Sequence, residues 1–404
     1  MPLTLLLDLD DTLLDTNMGE FIPAYFQALA KHLTPWVRPE TMLPALMSGT
    51  QAMLANEDPS LTLQQVFDRH FYPRLGVEKE QLSEAVEDFY DHVFHELGEV
   101  TRQRPGAREL VDWALARGDR LVIATDPLFP GKAVNERIRW AGLDPGRFEL
   151  ISSYESFHFS KSRAAYYAEL LGRLGWPDGP VLMVGNDEER DLARAHELGL
   201  VTYQVDGAAQ PGVAGETRAQ PSQAIAHGSL TELRYWLGAV DLARIEPGLH
   251  RRRGTEAILA ATPAVLASLT ASLDATAWKQ EPGPDEWALI EIVCHLRDTE
   301  REVHRIQMEK LRDEVQPFIP RPDAAVWAKQ RNYLNDDGAQ ALTAFTRARQ
   351  DTLAEIAALA PEVWKRSARH AIFGPTSAEE VLGFMADHDR LHVQQAWQTL
   401  NRLR

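Results

Sequence analysis

The chain holds a single cysteine, Cys294, among 404 residues. One thiol excludes an intrachain disulfide and suits a reducing compartment, so a cytoplasmic protein is expected. Long apolar runs are missing too: none approaches the roughly 18–20 residues of a membrane-spanning helix. The opening Met1-Pro2-Leu3-Thr4 has no basic stretch, so Leu3 to Leu13 reads as a core strand and turn rather than a secretory signal. Cations are the scarce charge. Against 59 Asp and Glu stand 42 Lys and Arg, a formal net charge of −17. That balance argues against nonspecific binding to nucleic acid or to an anionic membrane. What the chain does have is apolar side chains, 44% of the total, and a length that suits two to three domains.

The stretch Leu5-Leu6-Leu7-Asp8-Leu9-Asp10-Asp11-Thr12-Leu13 is an apolar run of strand length that stops at carboxylates spaced i, i+2. A buried strand of an open α/β sheet would deliver Asp8 and Asp10 to its C-terminal end, where such folds bind ligands. Two adjacent acids there suit a bound Mg²⁺, a nucleophile and a general acid/base. Three later segments fit the same chemistry. Leu121-Val122-Ile123-Ala124-Thr125 is a strand ending in a hydroxyl, and Lys161 precedes a helix expected over Ser162 to Leu174. Val181-Leu182-Met183-Val184-Gly185-Asn186-Asp187-Glu188-Glu189-Arg190-Asp191 is again an apolar strand ending in carboxylates.

In this order, the segments resemble the four motifs of the haloacid dehalogenase superfamily, and the likeness covers about the first 240 residues. The resemblance implies an α/β, Rossmann-like core with a parallel sheet and a helical cap. It makes Asp8 the nucleophile that forms an aspartyl-phosphate and Asp10 the general acid/base. Thr125 and Lys161 would hold the phosphoryl oxygens, and Asp8, Asp10, Asp187 and Asp191 would surround a Mg²⁺. An acid at position 10 favours a phosphatase acting on a small phosphorylated substrate, because an alkoxide needs a proton on leaving and a halide does not. Two departures stand out. The fourth motif reads Gly185-Asn186-Asp187 where the family often has Gly-Asp, so ligation rests on Asp187 with Asp191 helping, or on Asp191 through a water. Ser162 replaces the usual Pro after the lysine.

Residues 15–102 are long for a simple crossover and helical in period, with Leu82, Val86, Phe89, Tyr90 and Val93 on one stripe. Pro23, Pro35, Pro39, Pro44, Pro59 and Pro73 are expected to punctuate them into short helices. In the family an insertion here is a cap over the site, which favours small diffusible substrates. Thr16, Asn17 and Glu20 either face the substrate or serve as turn and N-cap residues. His92 and His95 fit a solvated helix face.

The hydrolase-like domain is expected over residues 1–240, with a loop from Gly207 to Gln223 and a closing helix from Leu230 to Val240. Residues 241–253 read as a joint. From Gly254 to the end the period is helical, with helices over Thr255–Leu273, Pro284–Val315, Gly338–Leu359 and Ser377–Leu400 and a long loop from Gln316 to Asp337. Ser377 with Glu380 is a capping box. These four helices imply a bundle. His388 and His392 lie i, i+4 on one helix and can ligate one ion. They continue the stripe of Val381 and Met385, so they face inward. His295 shares an inward stripe with Ala288, Ile292, Thr299 and Ile306. Three neutral imidazoles with an open position suit Zn²⁺ or Ni²⁺, and Glu291, one turn before His295, is a candidate fourth ligand or a support to the ligands from behind. One His on the second helix and His-x-x-x-His on the last resemble the DinB-like superfamily of four-helix metal proteins, over about residues 254–404. That resemblance leaves open a metal-dependent thiol transferase, a sensor, or a module that forms a homodimer.

Overall fold

The computed structural model describes residues 2–207 and 224–403. Apart from Gly207, the loop expected over Gly207 to Gln223 lies outside the described residues. The chain divides into two compact units, Met1–Tyr166 with Asp178–Gly248, and Tyr167–Pro177 with Leu249–Arg404. No described helix is long and apolar enough to cross a membrane.

The first unit begins with β1 (Thr4–Leu7), whose four residues are all buried. β2 (Leu14–Asp15) leads into α1 (Met18–Leu33), α2 (Pro39–Ala55), α3 (Leu63–Leu75) and α4 (Lys79–Asp88), and β3 (Arg102–Gln103) leads out again. Next come α5 (Ala107–Ala116), β4 (Arg120–Ile123), α6 (Gly131–Trp140), β5 (Leu150–Ile151), α7 (Ala164–Arg173), which from Tyr167 on is counted with the second unit, and β6 (Val181–Gly185). The unit closes with α8 (Arg194–Leu198), β7 (Val201–Val205), β8 (Ala226–Gly228) and α9 (Leu230–Ala239). Six strands pair in the order β5-β4-β1-β6-β7-β8, every pair parallel. β1 is thus central, which is why its sequence is a continuous apolar run: side chains on both faces meet protein. Leu5 and Leu7 pack in one core with Leu110, Val134, Ile138 and Leu233.

The helical insertion has its own core, built on Phe21, Tyr25, Leu29, Phe89 and Phe94. β2 and β3 pair antiparallel, so the chain enters and leaves the insertion at one point. Proline placement differs from expectation. Pro39 starts α2, but Pro23, Pro44 and Pro73 lie inside helices. Packing of the apolar faces outweighs the missing hydrogen bond, a cost of about 3 kcal/mol for an interior proline. His92 and His95 are exposed, as their positions suggested.

In the second unit, α10 (Arg252–Thr270), α11 (Leu289–Thr299), α12 (Arg305–Asp313), α13 (Trp327–Gln330), α14 (Gly338–Ala357), α15 (Pro361–Trp364) and α16 (Ala378–Leu403) succeed one another along the chain. α10 and α14, the α11–α12 rod and α16 are the four long segments. The Ser377 capping box is present: Ser377 Oγ accepts from the Glu380 N–H at 3.2 Å, and Glu380 Oε2 accepts from the Ser377 N–H at 2.7 Å. Short strands β9 (Phe318–Ile319), β10 (Ser367–His370) and β11 (Gly374–Ser377) form a small sheet that helical periodicity does not reveal.

A π-helical turn, Glu300–His304, joins α11 to α12. It overturns one expected detail. The stripe of Ala288, Ile292, His295 and Thr299 is buried, but Ile306 is 43% exposed. An extra residue in a turn rotates the remainder of the helix by about 100°. The same turn brings Glu300 and His304 inside. Buried Arg349 on α14 donates to Glu300 Oε2 at 2.7 Å, to Asp389 Oδ1 at 3.1 Å and to the Leu259 carbonyl at 2.9 Å. Breaking such a pair on one side leaves charges buried without a partner, a loss of about 3–5 kcal/mol. Arg349→Ala is therefore expected to destabilise the second unit by that amount in urea unfolding, and an unchanged midpoint would show that the cluster is not a stability determinant.

Candidate active site and metal centre

β1 runs straight into the first site. The Asp8 N–H still donates to the Val184 carbonyl at 2.9 Å, so the ladder holds Asp8 at the C-terminal end of the central strand. Its carboxylate is buried, and Oδ1 accepts from Lys161 Nζ at 2.7 Å. Lys161 also pairs with Asp191. One ammonium therefore sits between two buried acids. Burial, then the charge of Asp191, push the Asp8 carboxyl up to about 7, with Lys161 pulling the other way. Asp191 Oδ2 accepts the N–H groups of Asn186 at 3.1 Å and Asp187 at 3.0 Å. It lies where a side chain on Gly185 would have to go, so glycine is required there.

The other expected residues are placed differently. Asp187 caps the π-helical turn Glu188–Ala193, accepting from the N–H groups of Glu189 and Arg190 at 3.0 and 2.8 Å. Its Oδ2 takes Arg190 Nε at 3.1 Å. Burial opposes its ionisation, but the hydrogen bonds and charge of Arg190 win and hold the carboxyl below its usual range. Asp10 is half-buried. Its Oδ1 accepts from Thr16 Oγ1 at 2.6 Å and its Oδ2 pairs with Arg137. Thr16 thus touches Asp10, while Asn17 and Glu20 are exposed. Thr125 is buried, its carbonyl accepting from Ser152 Oγ at 2.7 Å and Tyr166 Oη at 2.9 Å. The structure therefore brings Asp8, Lys161 and Asp191 into contact and leaves Asp187 on Arg190.

Sequence reading missed Asp126, Arg137 and Arg190. Asp126 Oδ1 accepts the Lys161 N–H at 3.1 Å, and Arg190 reaches Asp126 Oδ2 at 3.4 Å. Arg137 left a signal: it sits between Val134 and Ile138 on the apolar stripe of α6. The donor set fits a hard divalent cation. Asp8 and Asp191 converge on one positive charge, and the raised Asp8 carboxyl shows that a single ammonium leaves the buried acids under-neutralised.

The second site lies among the helices of the second unit. His295 on α11 and His388 and His392 on α16 have ligand atoms all within 4.8 Å of one another. His295 Nε2 and His388 Nε2 are 3.1 Å apart. His392 Nδ1 bonds Gln395 Oε1 at 2.9 Å, which leaves Nε2 for the cluster. Burial, then the neighbouring imidazoles, push His295 down to about 3 and His392 to about 4, and burial lowers His388. Three buried imidazoles whose nitrogens converge this closely fit a transition-metal ion. They open on a cavity of about 700 Å³ whose walls include Trp287, Val381, Phe384 and Phe373. Trp287 lies parallel to His392 with ring centroids 5.9 Å apart.

Glu291 is not aimed at the cluster. Its Oε2 accepts the Ala288 N–H at 3.0 Å, capping α11, which replaces the expected fourth-ligand role. Cys294 is buried beside Asp336, and burial raises its thiol to about 12, so it is a poor ligand. His304 and Glu300 were not anticipated. His304 Nδ1 lies 3.0 Å from Glu300 Oε2, and its ring meets His388 edge-on at 5.4 Å.

Residues 3–199 match the haloacid dehalogenase-like hydrolase family, and residues 258–396 match the DinB superfamily. The chain is thus similar to haloacid dehalogenase-like hydrolases over its first part and to the DinB superfamily over its last. Solved structures similar to its parts include YfiT from Bacillus subtilis, a four-helix bundle of unusual topology. It is 18% identical, covering 39% of this chain and 90% of that one, with a TM-score of 0.35. A haloacid dehalogenase superfamily phosphatase from Thermococcus onnurineus is 18% identical over 59% of this chain and 98% of that one, TM-score 0.37. A 2-haloacid dehalogenase from Pseudomonas syringae pv. Tomato DC3000 is 22% identical over 59% and 98%, TM-score 0.41. No curated protein sequence matches the chain.

The histidines set a pH dependence. In the unfolded chain each takes a proton near its ordinary value of 6.5, but folded His295 and His392 wait until about 3 and 4. The unfolded state binds more protons in between, so stability is full above about 6.5 and is lost as pH falls toward 4. Urea unfolding of metal-free protein at pH 7.5 and pH 5 is expected to show the higher midpoint at 7.5. The difference should shrink in a His295→Gln, His392→Gln variant; an equal difference would place the acid sensitivity elsewhere.

Proposed function

We propose that the first unit is a Mg²⁺-dependent phosphohydrolase acting on a small phosphorylated metabolite through an aspartyl-phosphate. The observation that carries this is the buried Asp8–Lys161–Asp191 cluster at the end of the central strand. An Asp8 oxygen forms a bond to phosphorus as the ester P–O bond breaks. Asp10 gives its proton to the departing alkoxide, then takes one from the water that attacks the phosphoenzyme, releasing phosphate and restoring Asp8. Lys161 holds phosphoryl oxygens and offsets the gathered negative charge, and the Thr125 hydroxyl would hold another phosphoryl oxygen. Asp8 and Asp191 are the side chains that would hold Mg²⁺, which supplies charge neutralisation to the phosphoryl group. The helical insertion over 15–102 serves as a cap that favours small esters.

The second unit we read as a metal-binding bundle in which His295, His388 and His392 hold Zn²⁺ or Ni²⁺. The cavity beside the histidines favours an exchangeable ligand there over a closed structural site. A metal-dependent activity of the bundle's own is the second reading. The domain division proposed is 1–240 and 254–404, joined by 241–253.

Asp8→Asn is expected to abolish hydrolysis of small phosphate esters assayed with Mg²⁺, while circular dichroism stays unchanged. Asp10→Asn should slow turnover by about 10²–10⁴-fold, the usual worth of general acid/base help. Wild-type rates in the Asp8→Asn protein would remove the nucleophile assignment. For the bundle, elemental analysis after Zn²⁺ loading is expected to find one ion per chain, lost in His388→Ala, His392→Ala protein. Loading should also raise Tm, since an ion bound only by the folded state stabilises by mass action.

A further inference from the structure

Arg137 is out of place on a purely structural account. It is 1% exposed, on the apolar stripe of α6 between Val134 and Ile138, where a methionine or leucine would pack without desolvating a charge. Its guanidinium lies 4.9 Å from the ring centre of Phe129 and 5.4 Å from that of Phe21. Two aromatic faces restrict where it can sit and favour a cation between them. Its charge partner is Asp10 Oδ2. The other carboxylate oxygen is held by Thr16, next to the β2–β3 crossing through which the chain enters the cap. Asp10 is therefore gripped from the core on one side and from the cap's hinge on the other.

We propose that Arg137 is a positioning residue for Asp10, fixing the carboxylate that must meet the leaving-group oxygen. This rests on the phosphohydrolase reading above. Phe21, on the first cap helix, sits over the same guanidinium, so the placement of Asp10 is tied to the cap through α1. A side chain that only filled the core would affect every substrate alike. One that positions the proton donor matters most where the leaving group is poor.

The test compares 4-nitrophenyl phosphate with phenyl phosphate, esters of similar size whose leaving groups differ in their need for a proton. Arg137→Met is expected to lower kcat/KM, which reports the ester-cleaving step and not the phosphoenzyme hydrolysis common to both esters, by about 10²-fold for phenyl phosphate, within the range of a lost general acid, and by less than about tenfold for 4-nitrophenyl phosphate. Arg137→Lys, which keeps the cation and most of the stem, should recover part of the phenyl phosphate rate and serves if the methionine variant does not fold. In an Asp10→Asn background, Arg137→Lys should cost nothing further. Equal losses on both esters, or a further loss in the Asp10→Asn background, would make Arg137 a structural residue only. A wild-type enzyme inactive on both esters with Mg²⁺ would overturn the phosphohydrolase reading itself, and this inference with it.

Discussion

Lys161 carries the first site. A buried ammonium is costly alone, and so is each carboxylate beside it. Asp8 arrives from the central strand, Asp191 from the turn after β6 and Lys161 from the loop before α7, so three segments distant in sequence share one buried charge cluster. The solution is incomplete: two acids share one base, and Asp8 remains reluctant to ionise. That deficit makes the cluster suited to a divalent cation and to an anionic phosphoryl group held by the same lysine.

The second unit uses the same arrangement, one buried cation between two acids, with the opposite outcome for the acids' charge. Arg349 is buried between Asp389 and Glu300, and Asp389 is the neighbour of His388 in sequence. The guanidinium holds both acids well below their usual range, against the cost of burial, so they stay charged inside the bundle. The three histidines next to them are neutral because burial disfavours their charged form. This polar layer ties the turn after α11 to α14 and α16 through buried side-chain hydrogen bonds.

The outline of both units was legible because their signals are local. An apolar run ending in Asp-x-Asp, a capping box and an i, i+4 histidine pair each state their geometry within a few residues. Legibility stopped where the geometry is set across the fold. The π-helical turn at Glu300–His304 has no pattern of its own, so the stripe read through Ile306 continued in phase when the chain does not. Glu291 has the right position for a ligand, one turn before His295, but the nearer unsatisfied N–H of Ala288 takes its carboxylate. Arg349 looks like an ordinary surface arginine until its partners, 40 and 49 residues away, are known, and the stripe that marks Arg137 as buried does not name Asp10 as its partner.

The choice between Asp187 and Asp191 shows the same limit at closer range. Sequence order favours Asp187, the first acid after the strand. The backbone decides otherwise. Once β6 ends, the chain turns directly into a helical turn whose first N–H groups need an acceptor, and Asp187 stands at the N-cap. Its carboxylate is consumed by Glu189, Arg190 and the Arg190 side chain. Four residues later, about one turn on, Asp191 points back over Gly185, and only the missing Cβ of that glycine leaves it room beside Lys161. Glycine at 185 and an acid at 191 are therefore a coupled pair. The glycine supplies the space and the π-turn supplies the aim, which supports Asp191 as the partner of Asp8 at the proposed Mg²⁺ site.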